Sequence, residues 1–293
     1  MKAALVLFAG VVAVSFASIF IRLAEAPPLI IAAYRLSLAS LVIGPVALIR
    51  SGQELRVLSR RDLFYLVIAG VFLALHFGLW IASLSYTTVA SSVILVTMSP
   101  LFVGLFSHLL EMDRVTKGML GGILLSVVGS VAIGYGDFAL GGGALWGDIL
   151  ALGGAVMVTG YLLAGRRLRQ GLSLLPYISL TYSVAAAVTV LFCLLTGQRF
   201  TGYSSTTYLM FILLALVPQV IGHSAFNWAL GYLSAPFVSV TILGEPVGAT
   251  ILAYLILNEV PTFLKVVGGA MILSGIYLAS RREQKVVKVM PVK

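Results

Sequence analysis

Apolar residues run along this chain in long blocks, and polar positions fall between them. Ten blocks can be marked, at about 3–22, 29–49, 62–84, 88–110, 117–135, 145–165, 174–196, 206–230, 235–257 and 262–280. Each is near the ~20 residues that a helix needs to cross a bilayer. The connections are short, the longest polar ones being 50–61, 134–144 and 197–205, so none has the length of a soluble domain. The pattern predicts an all-α polytopic membrane protein of ten transmembrane helices.

The blocks repeat. Shifted by 146 residues, 88–129 aligns with 234–275 without a gap. Pro100 then meets Pro246, Gly122 meets Gly268, Gly129 meets Gly275, and Thr116 meets Thr262. Asp113 meets Glu259, and upstream Leu84 and Tyr86 meet Leu230 and Tyr232. Coincidences among apolar residues are common, so the prolines, glycines and acids carry the weight. A unit of five spans is odd-numbered, and its second copy must enter the bilayer upside down, as in many secondary transporters. The expected organisation is a first five-helix repeat over 1–140 and a second, inverted one over 141–293, around a central cavity.

Composition agrees with a lipid solvent. Of 293 residues 60% are hydrophobic and 10% charged, and mean hydropathy is +1.08. Soluble domains carry roughly 25% charged residues. The formal charge of +9 would point to nucleic acid in a soluble protein. Here the basic residues lie in short loops with no basic-aromatic patch, and no nucleic-acid partner is expected. With the N-terminus inside, the inner segments hold Lys2; Arg50, Arg56, Arg60 and Arg61; Arg114 and Lys117; Arg166, Arg167 and Arg169; and Arg281, Arg282, Lys285, Lys288 and Lys293. Only Arg22, Arg35, Arg199 and Lys265 remain, so both termini are placed in the cytoplasm and the protein in the cell membrane. Lys2, the apolar run 3–21 and Ala24-Glu25-Ala26 imitate a cleavable signal, but the run exceeds the usual apolar region and reads as a retained first helix. The single cysteine, Cys193, lies in an apolar block and excludes an intramolecular disulfide or a cysteine metal cluster. No metal or cofactor is expected.

Several polar residues fall inside the blocks. Pro100 and Pro246 lie mid-span, where proline removes an N–H and bends the helix; they bend helices around a polar cavity or mark ordinary packed kinks. Glu245 lies about ten residues into its span, roughly 15 Å deep. A bare carboxylate there is costly. It binds a substrate amine, carries a coupling proton, or is a neutral structural acid; its repeat mate is Ser99. His76 with Trp80, and His223 with Asn227 and Trp228, pair at helical spacing. They line two halves of a cavity, or they are satisfied core histidines and interfacial tryptophans. Neither pair has a third ligand for a metal. Arg35, about six residues into its span, snorkels to the outer interface, attracts an anionic group, or pairs with Glu25 or a helix end. Ser15, Ser18, Ser83, Ser91, Ser92, Thr97, Tyr161, Gln219 and Thr241 read mostly as packing polar groups. Asp113 and Glu259, each just ahead of a threonine N-cap, suit the start of the following helix.

The motifs resemble those of the EamA family of drug/metabolite transporters. They are Ser15-Phe16-Ala17-Ser18, Pro27-Pro28 with Ala32-Ala33-Tyr34-Arg35-Leu36, and Leu84-Ser85-Tyr86-Thr87-Thr88-Val89-Ala90 followed by Pro100-Leu101. Gly244-Glu245-Pro246 and Leu257-Asn258-Glu259-Val260-Pro261-Thr262 repeat the pattern. Asp113 departs from the glutamate common there. The resemblance implies a cavity lined by spans one, three, four, six, eight and nine, with spans five and ten as scaffold. It brings Ser15 and Tyr161 to that cavity beside His76, Trp80, Ser99, His223, Asn227, Trp228 and Glu245. It implies carriage of small metabolites, most commonly export of amino acids or related compounds, by alternating access. Proton coupling and oligomeric state stay open, and a channel-like facilitator is the alternative. No Walker loop for ATP is present. An enzyme would need clustered catalytic groups, whereas Asp62, Asp113, Asp137 and Asp148 lie at span ends; a receptor would need a signalling domain or a long tail.

Overall fold

The structure is a computed structural model describing residues 2–87, 92, 95–134, 144–257, 260 and 262–287. Thr88–Ala90 of the fourth-span motif, Ser91, Asp137, Asn258, Glu259 and Pro261 lie outside the described residues. Among those described, every regular element is a helix. In chain order these are α1 (Lys2–Ser15), α2 (Ala17–Leu23), α3 (Pro28–Arg56), α4 (Arg60–Ser83), α5 (Ser99–Leu109), α6 (Lys117–Gly134), α7 (Ala144–Leu168), α8 (Leu174–Leu195) and α9 (Ser205–Leu214). A π-helical segment, Ala215–His223, leads into α10 (Ser224–Ala229), followed by α11 (Ala235–Ile242), α12 (Gly244–Leu257) and α13 (Phe263–Val287). Among the described residues, seven stretches are long and apolar enough to cross a membrane, from Ala3–Leu23 to Ala235–Ile256, and three shorter apolar helices accompany them.

Burial is arranged as a bilayer requires. Leu5, Phe8, Leu41, Ile49, Leu194 and Tyr277 are widely exposed, while Arg35, His76, Gln219 and Asn227 are buried. Lipid is as apolar as leucine, so polar side chains gather inside, where they find partners.

Local chemistry sets the helix ends. Ser59 and Asp62 form a reciprocal capping box at the start of α4. Thr116 accepts from the Met119 N–H at 3.2 Å and caps α6. The chain does not loop at 50–56; α3 continues through a kink at Ser51, and Glu54 reaches across to accept from the Ser173 N–H at 2.7 Å, ahead of α8.

The prolines do more than bend. Pro100 is the second residue of α5, after a turn at Thr97–Met98, and Pro246 is the third residue of α12, after a break at Leu243. Each span is therefore interrupted. A proline denies an N–H to the carbonyl four residues back, here that of Val96 or Ile242, the last helical residue before each break.

The most extensive packing joins α6 to α13. A Cβ on Gly122 would lie 2.6 Å from the Gly275 carbonyl oxygen, and one on Gly129 would lie 2.6 Å from that of Gly268. The helices thus cross antiparallel with backbones in contact, which only glycine permits. Ser126 Oγ donates to the Ile272 carbonyl at 3.3 Å between these two contacts.

Candidate functional site

A cavity of about 50 Å³, room for a few water molecules, lies where the two broken spans face α1, α3, α4, α7 and the π-helical segment. The breaks supply much of its wall: Val96, Thr97 and Ser99 from one, Ile242, Leu243 and Glu245 from the other. These residues correspond pairwise under the 146-residue shift. So do Phe77 with His223, and Trp80 with Phe226, which also line it. Val14, Ala17 and Val158 add to a wall that is mostly apolar, and Ser239 adds one more hydroxyl residue.

For Arg35 the sequence left an interfacial and an interior position open, and the fold takes the interior one. The side chain does not reach an interface; it is 1% exposed and lines the cavity. Its Nε donates to Gln219 Oε1 at 2.8 Å, and its guanidinium carbon lies 4.0 Å from the centre of the Phe77 ring. Gln219 comes from the π-helical segment, whose Pro218 disturbs the ordinary hydrogen-bond ladder. Gln219 stood among the mid-span polar residues of the sequence; its meeting with Arg35 was not legible there. Arg35 Nη1, Gln219 Nε2 and Trp80 Nε1 are buried without hydrogen-bond partners.

His76, on α4, sets its ring parallel to Trp80 with centroids 6.0 Å apart. Its Nδ1 is 3.0 Å from the Gly154 carbonyl; a carbonyl only accepts, so Nδ1 carries the proton. His223 meets the Phe77 ring edge-on at 5.3 Å. Glu245 lines the cavity but makes no ion pair with Arg35 within 4.0 Å.

The structure brings His76, Trp80, Ser99, His223 and Glu245 to one cavity. It puts the other expected residues elsewhere. Tyr161 and Asn227 form a buried layer behind the wall: Tyr161 donates to Asn227 Oδ1 at 2.8 Å, and Asn227 donates to the Tyr182 hydroxyl at 3.2 Å. Tyr182 in turn meets Ser224 Oγ at 3.2 Å. Ser15 Oγ donates to the Val11 carbonyl at 2.7 Å and lies 3.5 Å from the Glu245 carbonyl, joining α1 to the second break. Trp228 packs on Tyr232, with centroids 4.7 Å apart, at the end of α10.

Two further clusters lie at opposite ends of the helices. Tyr34, near the start of α3, donates to the Phe200 carbonyl at 2.6 Å and stacks on Phe211 at 4.4 Å. Asp113 pairs with Arg166 at 3.0 Å and also accepts from the Ala235 N–H at 3.0 Å, at the start of α11. Arg166 donates in addition to the Leu230 carbonyl at 2.9 Å. Asp113 therefore supports α11 and not the helix that follows it in sequence.

Two stretches, 1–135 and 145–281, match the EamA-like transporter family. The chain belongs to that family. It is similar to the uncharacterized transporter YdfC of Bacillus subtilis, at 24% identity over 260 residues, 87% of this chain and 84% of that one. It is similar to an uncharacterized transporter of Archaeoglobus fulgidus, at 27% identity over 286 residues, 92% of this chain and 94% of that one. A solved crystal structure superposes with a TM-score of 0.81, covering 97% of this chain and 98% of its own, at 19% identity, and so shares the fold. This member of the EamA-like family is thus a multi-pass membrane protein with a transporter's role.

Proposed function

We propose that the protein is a secondary transporter that carries small metabolites, foremost amino acids and related compounds, across the cell membrane by alternating access, in the direction of export. It works as ten spans in two inverted halves, 1–140 and 141–293, with both termini cytoplasmic. The observation that carries this reading is the cavity enclosed by two proline breaks at corresponding positions of the repeat, whose mostly apolar wall carries Arg35, His76, His223 and Glu245. The α6–α13 crossing supports the inverted arrangement. The pair Gly122–Gly275 maps under the repeat onto Gly268–Gly129, and Ser126 bonds its own mate, Ile272. A contact between equivalent residues is what an axis of two-fold pseudosymmetry requires.

In this reading the Tyr34–Phe200 cluster closes the outer side and the Asp113–Arg166–Ala235 cluster the inner side. The cavity is small for a metabolite as it stands, so substrate enters when one closure separates. His76, Trp80, Ser99, His223 and Glu245 meet substrate, and Tyr161, Asn227 and Ser15 hold the wall in place.

The test is flux in proteoliposomes for a panel of amino acids and related metabolites, with and without an imposed pH gradient. Saturable flux stimulated by substrate on the far side is expected of a carrier. Flux that rises without saturation and shows no such stimulation would mean a facilitating channel.

A further inference from the structure

We infer that Arg35 is the anchor for a carboxylate of the transported substrate, with the Trp80 indole N–H as a second donor in the same cavity. This rests on the transport reading above and deepens it. Arg35 presents only donors, since guanidinium has no acceptor and stays charged. One donor, Nε, is fixed on Gln219 Oε1, and the ring of Phe77 lies against its face. That leaves Nη1 buried without a partner on a side chain that lines the cavity. Trp80, also in the wall, has its sole polar atom, Nε1, buried and unpartnered.

A buried donor left unsatisfied is costly, and a buried cation more so. No hydrogen bond from the protein reaches Nη1. Glu245 faces the same cavity but forms no ion pair with Arg35. The Gln219 amide is oriented by Arg35 itself, because only its oxygen can accept from Nε, and its own Nε2 is left as a third orphaned donor behind the wall. The buried atoms left without a partner around Arg35, its own Nη1, Trp80 Nε1 and Gln219 Nε2, are all donors. A planar acceptor with one negative charge complements them, and a guanidinium offers it a matching fork. A doubly charged phosphate would find a single cation, too little to offset its desolvation.

The test uses purified protein in detergent and follows thermal unfolding with a panel of amino acids, each matched to its amide, and of short monocarboxylates. Carboxylates should raise the unfolding temperature and the matched amides should not. Trp80→Phe should raise the half-maximal concentration several-fold. Arg35→Gln should raise it at least about tenfold, the effect of truncating one member of a buried charge pair. Should Arg35→Gln fold poorly, Gln219→Glu serves in its place. It sets a built-in carboxylate against Arg35, so it should raise basal stability while abolishing the carboxylate response. Carboxylate stabilisation that survives Arg35→Gln and Gln219→Glu, amides that act as well as acids, or no response to any carboxylate would overturn the assignment. Flux in proteoliposomes, read separately, distinguishes that outcome from failure of the transport reading.

Discussion

Individual side chains in this protein are legible by type and less so by direction. His76, Ser99, His223 and Glu245 stood out as polar residues within apolar blocks, and the cavity gathers them. Arg35 stood out equally, yet its depth in the span allowed two directions, and only the fold decides between them. Its partner Gln219 lies 184 residues away, a distance over which sequence spacing carries no geometry. Tyr161 and Asn227 illustrate the converse: the family resemblance brought Tyr161 to the cavity and helical spacing set Asn227 beside His223, but each satisfies the other behind the wall. Two predictions belong at this scale. Glu245→Gln should alter transport or flatten its dependence on pH while leaving membrane insertion intact, and wild-type flux at every pH would make the carboxylate structural. His223→Ala should reduce flux more than Cys193→Ala, because His223 lines the cavity while Cys193 is buried on α8 away from it. Equal and negligible losses would remove His223 from the site.

At the scale of elements, apolar blocks found the helices well because lipid tolerates little else. Interruptions were harder to read. A proline predicts a bend, whereas Pro100 and Pro246 each stand where a second helix begins, and Pro218 lies in a π-helical segment. The outcome depends on what supports the freed carbonyl, which neighbouring helices determine. The glycine pattern shared by α6 and α13 was clear as a repeat, but that these helices meet each other was not. Gly122→Ala should destabilise the protein by about 1–3 kcal/mol, since a Cβ there lies 2.6 Å from a carbonyl oxygen and the backbones must part. Ser126→Ala removes one long hydrogen bond and should cost about 0.6 kcal/mol. Unfolding temperatures of the two variants in one detergent check the order; equal shifts would mean that the crossing is not close-packed.

For the molecule as a whole, transport requires that the closures on the two sides be separable and individually modest. The Asp113–Arg166 pair joins the segment after α5 to α7 and to the start of α11, with both side chains little exposed. Asp113→Asn weakens that junction by about 1.5–3 kcal/mol, the range for hydrogen bonds to charged groups. It should raise the access of water-soluble reagents to the cavity from the cytoplasmic side; unchanged access would mean that the pair is not part of a closure. The central claim, one cavity opened to each side in turn, is tested most directly by Ser99→Cys in a Cys193→Ser background, where the introduced thiol is the only one. A membrane-impermeant thiol reagent should label it in right-side-out vesicles and equally in inverted ones, with substrate slowing both reactions. Labelling from a single side, or from neither, would contradict the account.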